Sequence, residues 1–191
     1  MFQALKNRNI ALLFGAHVIS VGGDMILFVA LPFWVFQLTG SAMATGIMFI
    51  ALTIPQLIFS PIAGVFVDRW DRKRVMILSD LLRAAIVLGY FVVNTAEQVW
   101  IIYLLAFMES SVSQFFRPAS LALIPNLVDG EEELARANAA MGASFALAQL
   151  GGPAIGGVLV TMFGPHAAAL FDAVSYLVSA ALVWGIVVPT R

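Results

Sequence analysis

The sequence predicts an all-α polytopic membrane protein of six spans, and three observations carry that prediction. Of the 191 residues, 61% are apolar and 11% charged, with a mean hydropathy of +0.96. An ordinary soluble domain is about 45–50% apolar and about 25% charged. The apolar residues gather into six stretches without the period-two alternation of a membrane-barrel strand. Basic residues fall in alternate connections, the bias expected of helices that cross a bilayer in turn. The same figures exclude a soluble globular enzyme and a disordered chain. A net charge of −1 offers nothing to a nucleic acid. With no cysteine there is no disulfide framework, thiol nucleophile or thiolate metal site.

The elements follow in order. Residues 10–38 carry one charge, Asp24, and this apolar run is too long for the core of a signal peptide. Residues 41–67 carry none and contain Pro55 and Pro61. Residues 75–93 hold Asp80 and Arg83, and residues 99–116 hold Glu109. Residues 137–163 are uncharged, and residues 167–188 hold Asp172. A span needs about 20 residues, so residues 1–191 read as one six-helix transmembrane domain with little left over for a soluble one.

Orientation comes from the connections. Lys6 and Arg8 precede the first span, and Arg69, Arg72, Lys73 and Arg74 separate the second from the third. Arg117 and Arg136 flank the connection between the fourth and fifth, and Arg191 follows the sixth. Residues 39–40, 94–98 and 164–166 contain no Lys or Arg. All ten basic residues except Arg83 thus lie on one side, which predicts a multi-pass protein of the plasma (inner) membrane with both termini cytoplasmic. An internal repeat is also visible. Ser60-Pro61-Ile62-Ala63-Gly64 and Gly152-Pro153-Ala154-Ile155-Gly156 share a small-Pro-x-x-Gly pattern three helices apart. An odd separation makes the copies cross in opposite directions, as in an inverted 3+3 repeat. Coincidence is the alternative, because Pro and Gly are common in membrane helices.

The densest polar segment is Gly64-Val65-Phe66-Val67-Asp68-Arg69-Trp70-Asp71-Arg72-Lys73-Arg74. An interfacial turn explains its arginines but not its acids, since Asp contributes little to topology. The segment resembles the signature loop of the major facilitator superfamily, G-x-x-x-D-R-x-G-R-[KR], through Gly64, Asp68, Arg69, Arg72 and Lys73. The likeness is to the branch of the enterobactin exporter and macrolide-efflux proteins. Asp71 stands where that family usually has Gly, which puts the tight turn in question, although Asp tolerates turns. The resemblance implies a gate latch in which Asp68, Arg69 and Arg72 form a breakable ion-pair network biasing a two-state rocking motion. Gly152-Pro153-Ala154-Ile155-Gly156-Gly157 is similar to the G-P-x-x-G-G core of the superfamily's antiporter motif, whose earlier glycines would fall on Ala139 and Ala148. Glycines at this spacing allow close backbone approach and Pro153 permits a bend, so plain packing is the alternative reading. A third likeness runs from Arg117-Pro118-Ala119 through Ile124-Pro125 to residues 134–139, and with Thr39-Gly40-Ser41 and Phe171-Asp172-Ala173 the resemblance covers the whole chain.

Charges at bilayer depth are costly and usually face a protein interior or an aqueous cavity. Asp24 lies near the middle of the first helix with His17 two turns earlier, and Glu109 lies near the middle of the fourth with Ser113 and Arg117 at i+4 and i+8. These spacings draw a polar stripe on one side of each helix. The resemblance places the first and fourth helices along a central cavity, which makes Asp24, Glu109 and Arg117 candidates for substrate contact or proton coupling. Low dielectric favours the protonated carboxyl, the property a proton carrier needs. The alternative for each acid is a structural hydrogen-bond or ion-pair partner. Asp80 and Arg83, at i,i+3, can neutralise each other or join the loop network, and read as structural. Asp172, near the outer end of the sixth helix beside Ser175, Tyr176 and Ser179, reads as a packing hydrogen bond. His166 reads as a loop residue. Asp129 with Glu131, Glu132 and Glu133 reads as a solvated cap favoured by the helix dipole.

The resemblance implies a secondary active transporter exporting small amphipathic compounds in exchange for protons, with the lipid bilayer and a small-molecule substrate as partners. No Ser-His dyad, metal cluster or nucleotide loop is present in the sequence, so neither enzymatic activity nor a metal or cofactor is expected. Complete members of the superfamily have about twelve helices in two halves. The competing expectation is therefore a non-transporting fragment, or a membrane assembly or regulatory partner, active only beside a second six-helix half or in a homodimer.

Overall fold

A computed structural model describes residues 4–67 and 69–189. Six long helices account for nearly all of it, and among the described residues there is no strand. They are α1 (Arg8–Thr39), α2 (Ala42–Val67), α3 (Arg72–Leu88), α4 (Val99–Leu123), α5 (Glu131–Phe163) and α6 (Pro165–Trp184). Each supplies a span long and apolar enough to cross a membrane, with short 3-10 turns extending α3 and leading into α4.

Local chemistry sets the helix ends. Asn7 caps α1, its Oδ1 accepting from the backbone N–H groups of Asn9 at 3.0 Å and Ile10 at 3.5 Å. Gly40 then ends α1 in a left-handed conformation, φ 63°, so the turn into α2 is a single short link. Asp71 caps α3 by accepting from the N–H of Arg74 at 2.8 Å. The departure from the family's Gly is thus accommodated: the position starts a helix, and a capping carboxylate suits it. Gly164, φ 81°, joins α5 to α6, with Pro165 at the first helical position.

Several helices overrun the apolar stretches. α4 continues through Arg117 and Pro118 to Leu123, and α5 begins at Glu131, six residues before the uncharged run. α3 gives way to a 3-10 turn at Gly89. Hydropathy marks what is buried in lipid, whereas backbone hydrogen bonds continue until a cap or turn ends them. His166 is corrected from loop to the first turn of α6. Its ring lies 4.8 Å from that of Trp34, and its Nε2 is 3.2 Å from the Val93 carbonyl.

α1 packs chiefly on α5 and α6, α4 packs on α2 and α3, and α3 and α6 pack on each other. Exchanging the first three helices with the last three maps these pairs onto themselves, as an inverted repeat requires. Hydrogen bonds tie both outer pairs: Ser144 Oγ to His17 Nδ1 at 2.8 Å between α5 and α1, and Ser110 Oγ to the Leu52 carbonyl at 2.7 Å between α4 and α2. Two apolar clusters form the core. One gathers Ile26, Leu31, Trp34, Tyr90 and Ile102, the other Ile10, Leu13, Met76, Phe116 and Leu123. Between them lies a polar layer.

Candidate functional site

Arg83 on α3 is the centre of that layer and is fully buried. Its Nη2 contacts Asp80 Oδ1 at 2.5 Å and Ser20 Oγ at 2.9 Å. Its Nη1 reaches Asp24 Oδ1 at 3.2 Å and Ser113 Oγ at 3.3 Å. The guanidinium also lies over the Tyr176 ring at 4.2 Å and the Phe116 ring at 4.9 Å. A cation this desolvated is tolerated because ion pairs, hydrogen bonds and aromatic faces replace its water. Tyr176 on α6 then joins two acids, its hydroxyl lying 2.6 Å from Asp24 Oδ1 and 2.8 Å from Glu109 Oε1. One network therefore ties α1, α3, α4 and α6 together in the middle of the bundle.

A cavity of about 270 Å³ opens beside this network, walled by α1, α2, α4 and α5. Asp24, Glu109 and Arg117 all line it, together with Gln56 and Gln149, and Phe28, Phe116 and Phe145 give it apolar surface. The structure brings the three polar candidates to one space. Arg117 is exposed there, its guanidinium 4.6 Å over the Phe145 ring. His17 is buried, with its ring stacked on Phe116. An apolar floor with a few convergent charges can hold an amphipathic molecule by its two characters at once.

Asp172 is corrected from the outer end of its helix to the level of Gly23 on α1, where it is fully buried beside the network. It accepts from Ser175 Oγ at 3.2 Å, and a side chain at Gly23 on α1 would collide with it. Asp80 and Arg83 pair with each other as their spacing predicts, but Arg83 also pairs with Asp24, so it belongs to the site. Sequence reasoning does not reach Ser20, gives Arg83 only a structural pairing with Asp80, and names Tyr176 only as a neighbour of Asp172. The signal for Tyr176 was present: Asp172, Ser175, Tyr176 and Ser179 recur at i, i+3, i+4 and i+7, one polar face of an otherwise apolar helix.

The charged loop lies at one end of the bundle. Asp68 is outside the described residues. Arg69 is exposed, Arg72 is the first residue of α3, and a side chain at Gly64 would meet nothing within 4 Å. Lys73 crosses to α6, donating to the carbonyls of Trp184 at 2.8 Å and Ile186 at 2.7 Å. A lysine on the last carbonyls of a helix satisfies orphan acceptors and suits the dipole. The antiporter-like segment divides similarly. A Cβ on Gly152 would collide with Met25, and one on Gly156 would lie 2.9 Å from the Ile26 carbonyl oxygen, whereas Gly157 faces open space and Pro153 is half-buried. Gly152 and Gly156 are therefore what lets α5 approach α1. Among the described residues no group of three His, Asp or Glu side chains is placed to hold a metal.

The sequence profile of the major facilitator superfamily matches residues 13–191. The chain belongs to that superfamily. Among curated relatives, the MFS-type transporter YvqJ of Bacillus subtilis is 31% identical over 183 residues, covering 95% of this chain and 43% of that protein. Macrolide efflux protein A of Streptococcus pyogenes is 28% identical, covering 87% and 42%. The putative bacilysin exporter BacE of Bacillus subtilis is 30% identical, covering 93% and 44%. The chain spans less than half the length of these relatives. Superfamily membership and six apolar helices make it a multi-pass membrane protein of a transporter superfamily, with efflux proteins among its relatives.

Proposed function

We propose that this chain works as one half of a proton-coupled exporter of small amphipathic compounds, operating by alternating access in the cell membrane with both termini cytoplasmic. The observation carrying this reading is the cavity in which Asp24, Glu109 and Arg117 meet three phenylalanines, beside a buried ion-pair network. Carboxyls at that depth suit proton coupling, and the aromatic wall suits an amphipathic cargo. The efflux names of two relatives favour export. Arg69, Arg72 and the Asp68 loop act as the latch between conformations, and Lys73 holds the end of α6 against it. A second six-helix half supplies the facing wall of the cavity. The length of the relatives and the exposed apolar faces of α2 and α5 favour that partner.

Macrolide accumulation in proteoliposomes that hold this chain together with its second six-helix half tests the reading. An acid lumen drives uptake above that of protein-free liposomes, and a protonophore abolishes it. Asp24→Asn or Glu109→Gln removes this flux while leaving membrane insertion intact. Uptake indifferent to the pH gradient would sink proton coupling, and normal flux in both variants would sink the site assignment.

A further inference from the structure

The buried polar layer holds more acid than base. Asp24, Asp80, Glu109 and Asp172 enter it from four helices, and Arg83 is the one buried Lys or Arg side chain among the described residues. Ion pairs account for Asp24 and Asp80. Glu109 has another neighbour, the Tyr176 hydroxyl at 2.8 Å, which also stands 2.6 Å from Asp24.

A phenol carries a single hydrogen. It donates to one carboxylate, and the second contact is a hydrogen bond only if that carboxyl brings its own proton and the phenol oxygen accepts it. Ionising the phenol instead would leave three anions with no hydrogen between them. The other donors decide which acid is ionised. Asp24 receives Arg83 Nη1 on both oxygens, at 3.2 and 3.4 Å, and Ser113 Oγ at 3.5 Å. Glu109 sits at the cavity wall, 7% exposed, where a proton can come and go. The other groups facing Glu109 are Asp172 on α6 and Tyr90 in the turn after α3, with Arg117 farther along α4 on the same cavity and Asp80 bound to Arg83. From α2 and α5 the same cavity receives the uncharged Gln56 and Gln149.

We propose that Tyr176 binds Asp24 and Glu109 into a one-proton pair: Asp24 ionised against Arg83 and accepting from the phenol, Glu109 protonated and donating to it. This rests on the proton-coupled reading above and assigns its coupling proton to Glu109. On release the proton passes from Glu109 to water in the cavity, the phenol keeps its hydrogen, and the network is left with one more negative charge. Tyr176 is a positioning residue here. It never carries the transported proton, but it fixes which acid does.

Infrared spectroscopy of the chain in lipid nanodiscs tests this without requiring transport. At neutral pH a protonated-carboxyl band is expected that disappears in Glu109→Gln, and in Tyr176→Phe the same band shifts in frequency. Identical wild-type and Glu109→Gln spectra in this region would overturn the pair. So would an unshifted band in Tyr176→Phe protein that circular dichroism shows to be folded. In proteoliposomes Tyr176→Phe displaces the pH profile of flux, whereas a merely structural defect lowers flux equally at every pH and would also overturn it. The band without gradient-driven flux refutes antiport but leaves the pair standing. Flux without the band does the reverse.

Discussion

Removing the Arg83 guanidinium would leave Asp24 and Asp80 in the polar layer without their counter-charge. Breaking a buried pair by deleting one partner costs about 3–5 kcal/mol. Arg83→Met is therefore expected to lower the thermal unfolding midpoint strongly in detergent, followed by tryptophan fluorescence. Asp80→Asn in the same chain should recover part of the loss, because it removes one of the stranded anions. An unchanged midpoint in Arg83→Met would contradict the network. The sequence made Asp24 and Glu109 conspicuous, since a charge inside an apolar run has few bland explanations. It hid Arg83, because the acid at i−3 already offers it a local partner. It hid Tyr176 because tyrosine passes as an apolar aromatic until its hydroxyl is placed, here between acids 152 and 67 positions away in the chain.

Among the elements, α5 shows how a motif divides into residues that matter and residues that do not. Gly152 and Gly156 face α1, where an added methyl meets Met25 and the Ile26 backbone; Gly157 faces open space. Backbone cannot swing aside as a side-chain tip can. Gly156→Ala is expected to cost about 1–3 kcal/mol through overpacking, while Gly157→Ala is neutral or slightly stabilising as helix propensity improves. Unfolding midpoints of the two variants, measured side by side, check the contrast, and equal midpoints would refute it. The helices themselves were legible from hydropathy, but their ends were not. α4 runs past Arg117 and α5 starts among glutamates, because a helix stops where its hydrogen bonds are capped and not where its side chains cease to be greasy.

At the scale of the whole molecule, the unpartnered surface is as informative as the core. α1, α3, α4 and α6 share the polar network, whereas α2 and α5 leave most of their apolar faces exposed, with Leu57 at 78% and Leu150 at 79%. The chain has no cysteine, so Leu57→Cys and Leu150→Cys report cleanly on self-association. If a second half of different sequence closes the cavity, neither variant forms a disulfide-linked dimer under oxidation in membranes. A strong dimer band would transfer that role to a second copy of this chain. The sequence by itself determined the fold class and the number of spans. Partition into lipid acts on each span separately, so a one-dimensional pattern suffices. Only the tertiary structure decided that Arg83 answers Asp24 as well as Asp80 and that a single phenol stands between Asp24 and Glu109. Such pairing depends on which helix faces meet, and those faces come from segments far apart in the chain.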